Sequence, residues 1–314
     1  MNPALDMLLR EDITLWIITG IFSLLVGSFL NVVIARIPRQ IIWSEAEKSV
    51  RGEKPPGIVW PGSHCPRCGH TLSWFENVPI LSFLLLGGRC RHCHLSISIR
   101  YPVIEAFCAA LSVVVVMKLG VQWLTLAALV FTWFLIALAF IDFEHFLLPD
   151  KLTIPLIFLG LITSALDGFT DLTSSLIGVI AGYLSLWLVY QIFRLLTGKE
   201  GFGFGDFKML AAIGGFIGWQ LLPTVVLLSA GTGAGVGVIM ILLKRQQRGQ
   251  MVPFGPYLAG GGWLTLLWGP ELNEWFYSIP AVEWLYLNIT FDWIDPTFEW
   301  IYSASEWLYS TIKL

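Results

Sequence analysis

An all-α polytopic membrane protein is the fold class this sequence predicts, with about eight transmembrane helices and a small zinc-ribbon-like loop domain after the first. Three observations carry that expectation. Of 314 residues, 56% are hydrophobic and only 13% charged, a balance outside that of soluble globular domains. Eight apolar runs approach the length of about 20 residues that a bilayer crossing needs. The basic residues crowd into one loop instead of spreading along the chain.

The runs cover residues 13–35, 102–118, 121–142, 152–168, 173–195, 207–221, 223–243 and 253–269. The first is too long, and matches a cleavage site too poorly, to be a removed signal peptide. Nine of the 19 Lys and Arg lie from Arg36 to Arg100: Arg36, Arg39, Lys48, Arg51, Lys54, Arg67, Arg89, Arg91 and Arg100. The positive-inside rule makes that loop cytoplasmic and the N-terminus periplasmic. Alternation then puts Arg194, Lys199, Lys244, Arg245 and Arg248 inside. Asp167, Asp171 and the acidic tail after Gly269, whose only base is Lys313, fall outside. The expected organisation is a first transmembrane helix (1–38), a cytoplasmic four-Cys domain (39–101), a seven-helix core (102–270) and a Trp-rich acidic interfacial tail (271–314). The lipid bilayer is the certain partner. No nucleic acid is expected, and a homo-oligomer is open.

Two acids stand out against hydrocarbon. Asp142 ends the third run, and Asp206 closes the glycine-rich string 201–205 just before the sixth. An acid near a helix centre in lipid costs roughly 2.5–3.5 kcal/mol unless a partner or a task retains it. The third run passes from outside to inside and the sixth returns, so both carboxylates are expected at one depth on the cytoplasmic side, where water can reach them. Singly each has a plain reading: Asp142 as an interfacial residue, Asp206 as a helix cap. Together they suggest an aspartyl catalytic pair, with Gly203 and Gly205 keeping backbone slim beside Asp206. Lys208 would favour the ionised form of a neighbouring acid. Asp150, directly after Pro149, reads first as the N-cap of the next helix, and Glu144 and His145 are expected to face the aqueous loop.

The cytoplasmic loop carries two CxxC knuckles, Cys65–Cys68 and Cys90–Cys93, with 21 residues between them. Each knuckle presents two thiolates, and a returning loop can unite them around one tetrahedral Zn²⁺. Disulfides or ordinary buried cysteines are the alternatives, disfavoured in a reducing cytosol. His64, His70, His92 and His94 are close enough to compete as ligands. Cys108 reads as a packing residue.

Further along, Gly231, Gly233, Gly235 and Gly237 in the seventh run predict close helix packing. Pro253–Phe254–Gly255–Pro256 reads as a rigid turn opening the eighth. An acid–Trp pair recurs at Glu274–Trp275, Glu283–Trp284, Asp292–Trp293, Glu299–Trp300 and Glu306–Trp307. Short amphipathic segments on the outer leaflet are expected there.

Taken as a set, four stretches resemble the type IV prepilin peptidases, bacterial membrane aspartyl enzymes of the GxGD class. They are Gly27–Val33 with Arg36–Ile37–Pro38; the paired knuckles with Glu76–Asn77–Val78–Pro79 between; Ile141–Asp142 with Leu148–Pro149–Asp150; and Gly203–Phe204–Gly205–Asp206–Phe207–Lys208. Arg100–Tyr101–Pro102 and Glu105 extend the second stretch, and Pro253–Pro256 resembles a family motif near the active site. The resemblance implies that Asp142 and Asp206 are the catalytic aspartates, and that prepilins and type II secretion pseudopilins are the substrates. These would lose a short basic leader at the cytoplasmic face of the bacterial inner membrane. It also implies N-methylation of the new terminus by S-adenosylmethionine. No glycine fingerprint for that donor is present, so Glu76, Gly88 and Arg89 beside the knuckles are the candidate methyl-transfer residues, with structural roles as their alternative. From another class, an ion or proton transporter with a zinc-stabilised cytosolic module would also fit the composition.

Overall fold

The structure is a computed structural model that describes residues 3–46, 52, 54–65, 67–198, 203–243 and 252–278. Eight helices occupy the eight predicted runs: α1 (Pro3–Glu45), α3 (Arg100–Leu119), α4 (Trp123–His145), α5 (Asp150–Ala165), α6 (Leu172–Thr197), α7 (Phe204–Ile217), α8 (Leu222–Leu242) and α9 (Gly255–Tyr277). A short α2 (Leu81–Leu85) lies in the four-Cys loop behind a 3₁₀ turn, Trp74–Asn77. Among the described residues there is no β-strand, only two isolated bridges.

Five of these helices are long and apolar enough to cross a membrane: residues Ile13–Glu45 of α1, together with α3, α4, α6 and α8. The other three depart from the simple expectation of eight equal spans. With 16 and 14 residues, α5 and α7 reach only about 24 and 21 Å at 1.5 Å per residue, short of a hydrocarbon core of about 30 Å. Helix α9 is bent at Trp268, whose φ of −132° is non-helical, just before Pro270. It continues to Tyr277, so the segment expected to begin the interfacial tail begins as helix. The acid–Trp pairs beyond Glu274–Trp275 lie outside the described residues.

Side-chain spacing explains how the helices group. On α1, Leu30, Val33, Ile34 and Ile37 are buried at the i, i+3, i+4, i+7 positions of one face. That face meets Ile104 and Cys108 of α3 and Ile136 and Ile141 of α4. Phe22, Leu25 and Phe29 on the same helix stay exposed, toward lipid.

A second core surrounds α7, which is buried from Asp206 to Ile217 except at Lys208. It packs on α5, α6 and α9 through Leu156, Leu186, Tyr190, Leu258, Phe207, Leu210 and Phe216, and Phe131 of α4 meets the Phe216 ring. Missing side chains permit this approach. A Cβ on Gly178 or Gly182 of α6 would strike the carbonyls of Gly214 or Leu210, and one on Gly160 of α5 would come 2.8 Å from the Gly215 carbonyl carbon. Helices that cannot gain a hydrophobic effect from lipid associate through such small-residue contacts.

The sequence placed that packing role elsewhere, on the α8 glycines. There, Gly231, Gly235 and Gly237 have no neighbour within 4 Å of an added Cβ, and only Gly233 meets a side chain, the ring of Tyr257 at 3.3 Å. A small-residue stripe licenses close approach but does not supply the partner.

Candidate active site

The two suspect aspartates meet at one end of the bundle. Asp142 sits in the last turn of α4, which stops where Phe146 turns left-handed and returns its N–H to the Asp142 carbonyl. Asp206 sits in the first turn of α7. Both residues are only 6% exposed; Asp142 meets the start of α9 at Gly255, and Leu148, six residues further on, packs against Gly205 beside Asp206.

Backbone donors hold each carboxylate. The N–H of Gly255 donates to Asp142 Oδ2 at 2.8 Å, and the N–H of Gly203 donates to Asp206 Oδ2 at 3.2 Å. Gly255 and Gly203 lie at the starts of α9 and α7, so two helix N-termini converge on the pair with their partial positive charge. Asp206 Oδ2 therefore caps its own helix, as its plain reading anticipated. Its other oxygen, Oδ1, is buried with no hydrogen-bond partner among the described residues. A cap on one oxygen does not saturate a carboxylate.

Two of the three glycines here are sterically required. A Cβ on Gly255 would lie 2.7 Å from Asp142 Oδ2, and one on Gly205 would lie 2.5 Å from Leu148 Cβ. Gly203 has room, with Asp206 Oδ2 at 3.5 Å. Its role is the backbone donor. Sequence reading named the Gly255 turn only as a rigid turn and a motif likeness, and quoted Leu148 only within a family stretch, with no contact assigned to it. No local pattern announces a contact between residues 113 positions apart.

Lys208 does not reach the aspartate pair by any described bond; its Nζ lies 2.6 Å from Asp150 Oδ1. Pro149, not Asp150, is the N-cap of α5, and no side chain caps that helix. Asp150 instead joins the first turn of α5 to the second turn of α7. Nearby, Glu144 pairs with Arg100 at 2.7 Å. That contact puts the α3 N-terminus, the α4 C-terminus and the four-Cys loop at the same end of the bundle.

The loop domain is built from two copies of one knuckle. In the first, the Cys65 N–H donates to the His70 carbonyl and the Gly69 N–H to the Cys65 carbonyl, with a bridge between His64 and Thr71. In the second, the Cys90 N–H donates to the Leu95 carbonyl and the His94 N–H to the Cys90 carbonyl, with a bridge between Arg89 and Ser96. The tight turn needs positive φ at Gly69 (70°) and His94 (56°). The thiol of Cys65 is lowered to about 7 by the backbone N–H groups of Cys68 and Arg67, and that of Cys90 is lowered by those of Cys93 and His92.

All four sulfur atoms fall within 4.8 Å of one another, with Cys65 and Cys93 at 3.9 Å. A tetrahedron of thiolates about 2.3 Å from Zn²⁺ has edges of about 3.8 Å. The donor set fits a single tetrahedral metal ion. His70 is not in that cluster; it stacks on His92 and faces Glu76 at 3.5 Å.

The proposed methyl-transfer residues lie around this module and are partly committed. Glu76 is buried and accepts the Ser73 N–H at 2.8 Å. That bond and His70 hold its carboxyl below the usual carboxylate range. Gly88 adopts φ 68° under the Phe83 ring, and Arg89 is exposed in its bridge. These three do not by themselves make a fit for S-adenosylmethionine.

Residues 21–119 match the bacterial peptidase A24 N-terminal domain, and residues 129–238 match the type IV leader peptidase family. A prepilin leader peptidase/N-methyltransferase of Aeromonas salmonicida is 49% identical over 82% of this chain and 92% of its own length. Its namesake in Pseudomonas aeruginosa is 44% identical over 90% of this chain and 100% of its own, and that of Dichelobacter nodosus is 46% identical over 83% and 94%. No solved structure matches. With both halves of its core matched and relatives this similar along most of their length, the chain belongs to the type IV leader peptidase family.

Proposed function

We propose that this protein is a membrane aspartyl endopeptidase that removes the basic leader of type IV prepilins and of type II secretion pseudopilins at the cytoplasmic face of the inner membrane. The observation that carries the reading is the meeting of Asp142 and Asp206 at one end of the bundle, one Asp206 oxygen left without a partner among the described residues. Two carboxyl groups this close do not both ionise comfortably, so one proton is shared between them.

The chemistry follows from that sharing. The ionised carboxylate takes a proton from water as its oxygen attacks the scissile carbonyl carbon, while the protonated partner donates to the carbonyl oxygen. The tetrahedral diol then collapses: the C–N bond breaks, the departing amine takes a proton from the acid just formed, and one diol hydroxyl returns its proton to the other carboxylate as the new C=O forms, which restores the starting pair. No covalent acyl-enzyme arises. The Gly203 and Gly255 N–H groups hold one oxygen of each acid, leaving the others to face water and substrate.

The four-Cys module is proposed as a structural Zn²⁺ site, Cys65, Cys68, Cys90 and Cys93 supplying thiolates and the metal supplying stability to a domain with little apolar core. N-methylation of the trimmed terminus by S-adenosylmethionine accords with the name the relatives carry. Glu76, Gly88 and Arg89 remain the residues proposed for it. A peptidase family also favours hydrolysis over the ion or proton transporter.

Purified Asp142→Asn and Asp206→Asn proteins incubated with a full-length prepilin test the reading. Each is expected to lose cleavage by at least about 10²–10⁴-fold, the scale of a general acid or base, while keeping its metal and its elution profile. Cleavage at the wild-type rate by either would end the aspartyl assignment.

A further inference from the structure

Between the knuckles the chain does something a water-soluble zinc module has no reason to do. Trp74, Leu84 and Leu85 are exposed by 82%, 67% and 77%, and Phe75 and Leu81 by about half. Five large apolar side chains within 12 residues form a patch, and patches of this kind mark a binding surface.

The depth of this segment identifies what covers it. The N–H of Ile80 donates to Glu105 Oε2 at 2.8 Å, and Ser28 of α1 neighbours the same buried carboxyl group. Glu105 lies five residues into α3 from Arg100, and Ser28 lies eight residues before Arg36 on α1. At 1.5 Å per residue these are about 7 and 12 Å along the helix axes, inward from the two arginines at that end of the bundle. Arg36 itself grips the loop through the carbonyls of Gly57 at 2.6 Å and Pro61 at 2.7 Å. The flanking surfaces at this level are lipid-facing: Leu25 and Phe29 on α1, Val103 and Phe107 on α3, all exposed and apolar.

Backbone bonding fits the same location. In hydrocarbon an unsatisfied N–H costs several kcal/mol. Here Ser82, Leu84, Leu86, Gly87 and Gly88 donate to Val78, Ile80, Ser82, Leu84 and Phe83 carbonyls. Ile80, where φ of 57° turns the donor away from its neighbours, gives its N–H to Glu105. At the rim, the Arg91 guanidinium lies 5.3 Å over the Phe75 ring, where a cation meets headgroup phosphate.

We propose that Trp74–Leu85 is a re-entrant wedge seated among the lipids of the leaflet at the aspartate end, with Glu105 as the acceptor that lets its backbone enter. The occupant of the exposed patch is the acyl and headgroup boundary. The wedge moors the four-Cys module flush with the membrane surface and does not depend on the catalytic assignment of Asp142 and Asp206.

Photocrosslinking of the full chain in its membrane tests this. p-Benzoylphenylalanine is placed singly at Trp74, Leu84 or Leu85, with exposed Thr71 in the first knuckle as the aqueous control, and the folding of each variant is checked by monodisperse elution in detergent. Phospholipid adducts several-fold more abundant at the three wedge positions than at Thr71 are expected. Adducts mainly to a prepilin or to a second copy of this chain, or lipid labelling no stronger than at Thr71, would overturn the proposal.

Discussion

Helices α7 and α8 follow each other in the chain and read alike, apolar and glycine-containing, yet they meet opposite surroundings. Eleven of the 14 residues of α7 are buried, whereas α8 buries only Leu222, Thr224, Val225 and Ser229 of its 21. The longer helix satisfies the membrane by facing it. The shorter one never has to, because α5, α6 and α9 stand in for lipid around it. The difference bears on function: an acid on a helix ringed by protein can be held by backbone donors such as Gly203, whereas on a lipid-facing helix it would carry the cost of immersion. Hydropathy measures what a helix tolerates, not where it sits.

The sharpest way to break this contrast is to add one methyl group to each helix. Gly214→Ala drives a Cβ into the Gly178 carbonyl and is expected to cost at least about 1–3 kcal/mol as overpacking, seen as a lowered midpoint of thermal unfolding in detergent. Gly235→Ala enters open space and gains up to about 1 kcal/mol of helix propensity. Equal losses at both positions would mean that α8 is packed as tightly as α7.

The same comparison can be made within α9. Gly255→Ala crowds the Asp142 carboxylate, and a displacement of about 1 Å at a reacting group costs about 10²-fold in rate; prepilin cleavage should fall by that order with little change in stability. Gly260→Ala, with nothing within 4 Å of the added atom, should leave cleavage unchanged.

A smaller effect is expected at the α6 N-terminus. Burial works against the Asp171 anion, but the Ser174 hydroxyl and N–H outweigh it and hold the carboxyl below its ordinary range. A depressed value contributes stability that is complete above the ordinary carboxylate pKa of about 4 and lost as pH falls through the folded one. Asp171→Ala should cost about 1 kcal/mol at neutral pH, and the difference from wild type should close on acidification, as read by unfolding at a series of pH values. The smallest effect belongs to the Asp150–Lys208 pair, about 0–1 kcal/mol for an exposed bridge. Its sharper signature is recovery of stability by Asp150→Lys with Lys208→Asp over either single reversal.

The apolar runs located all eight helices, and carboxylates too costly to keep without a task marked Asp142 and Asp206. Repeated CxxC spacing foretold one sulfur cluster, because a knuckle is local and its copy obeys the same turn geometry. Long-range pairings were not legible. Nothing near Gly255 says that its N–H meets Asp142, nothing near Ile80 says that Glu105 awaits it, and the α8 glycines advertise a partner that those of α5, α6 and α7 find instead. Helix length misleads in the same way: α7 is short and ringed by protein, whereas α5 is nearly as short yet leaves Ile154, Phe158 and Ile162 exposed.

The claim beneath all of this is that Asp142 and Asp206 work as one unit, which a double-variant cycle on prepilin cleavage measures directly. Groups that act together fail together, so Asp142→Asn, Asp206→Asn and the double variant should fall to the same residual rate with metal content intact. Losses that multiply in the double variant, or one aspartate that proves dispensable, would contradict it.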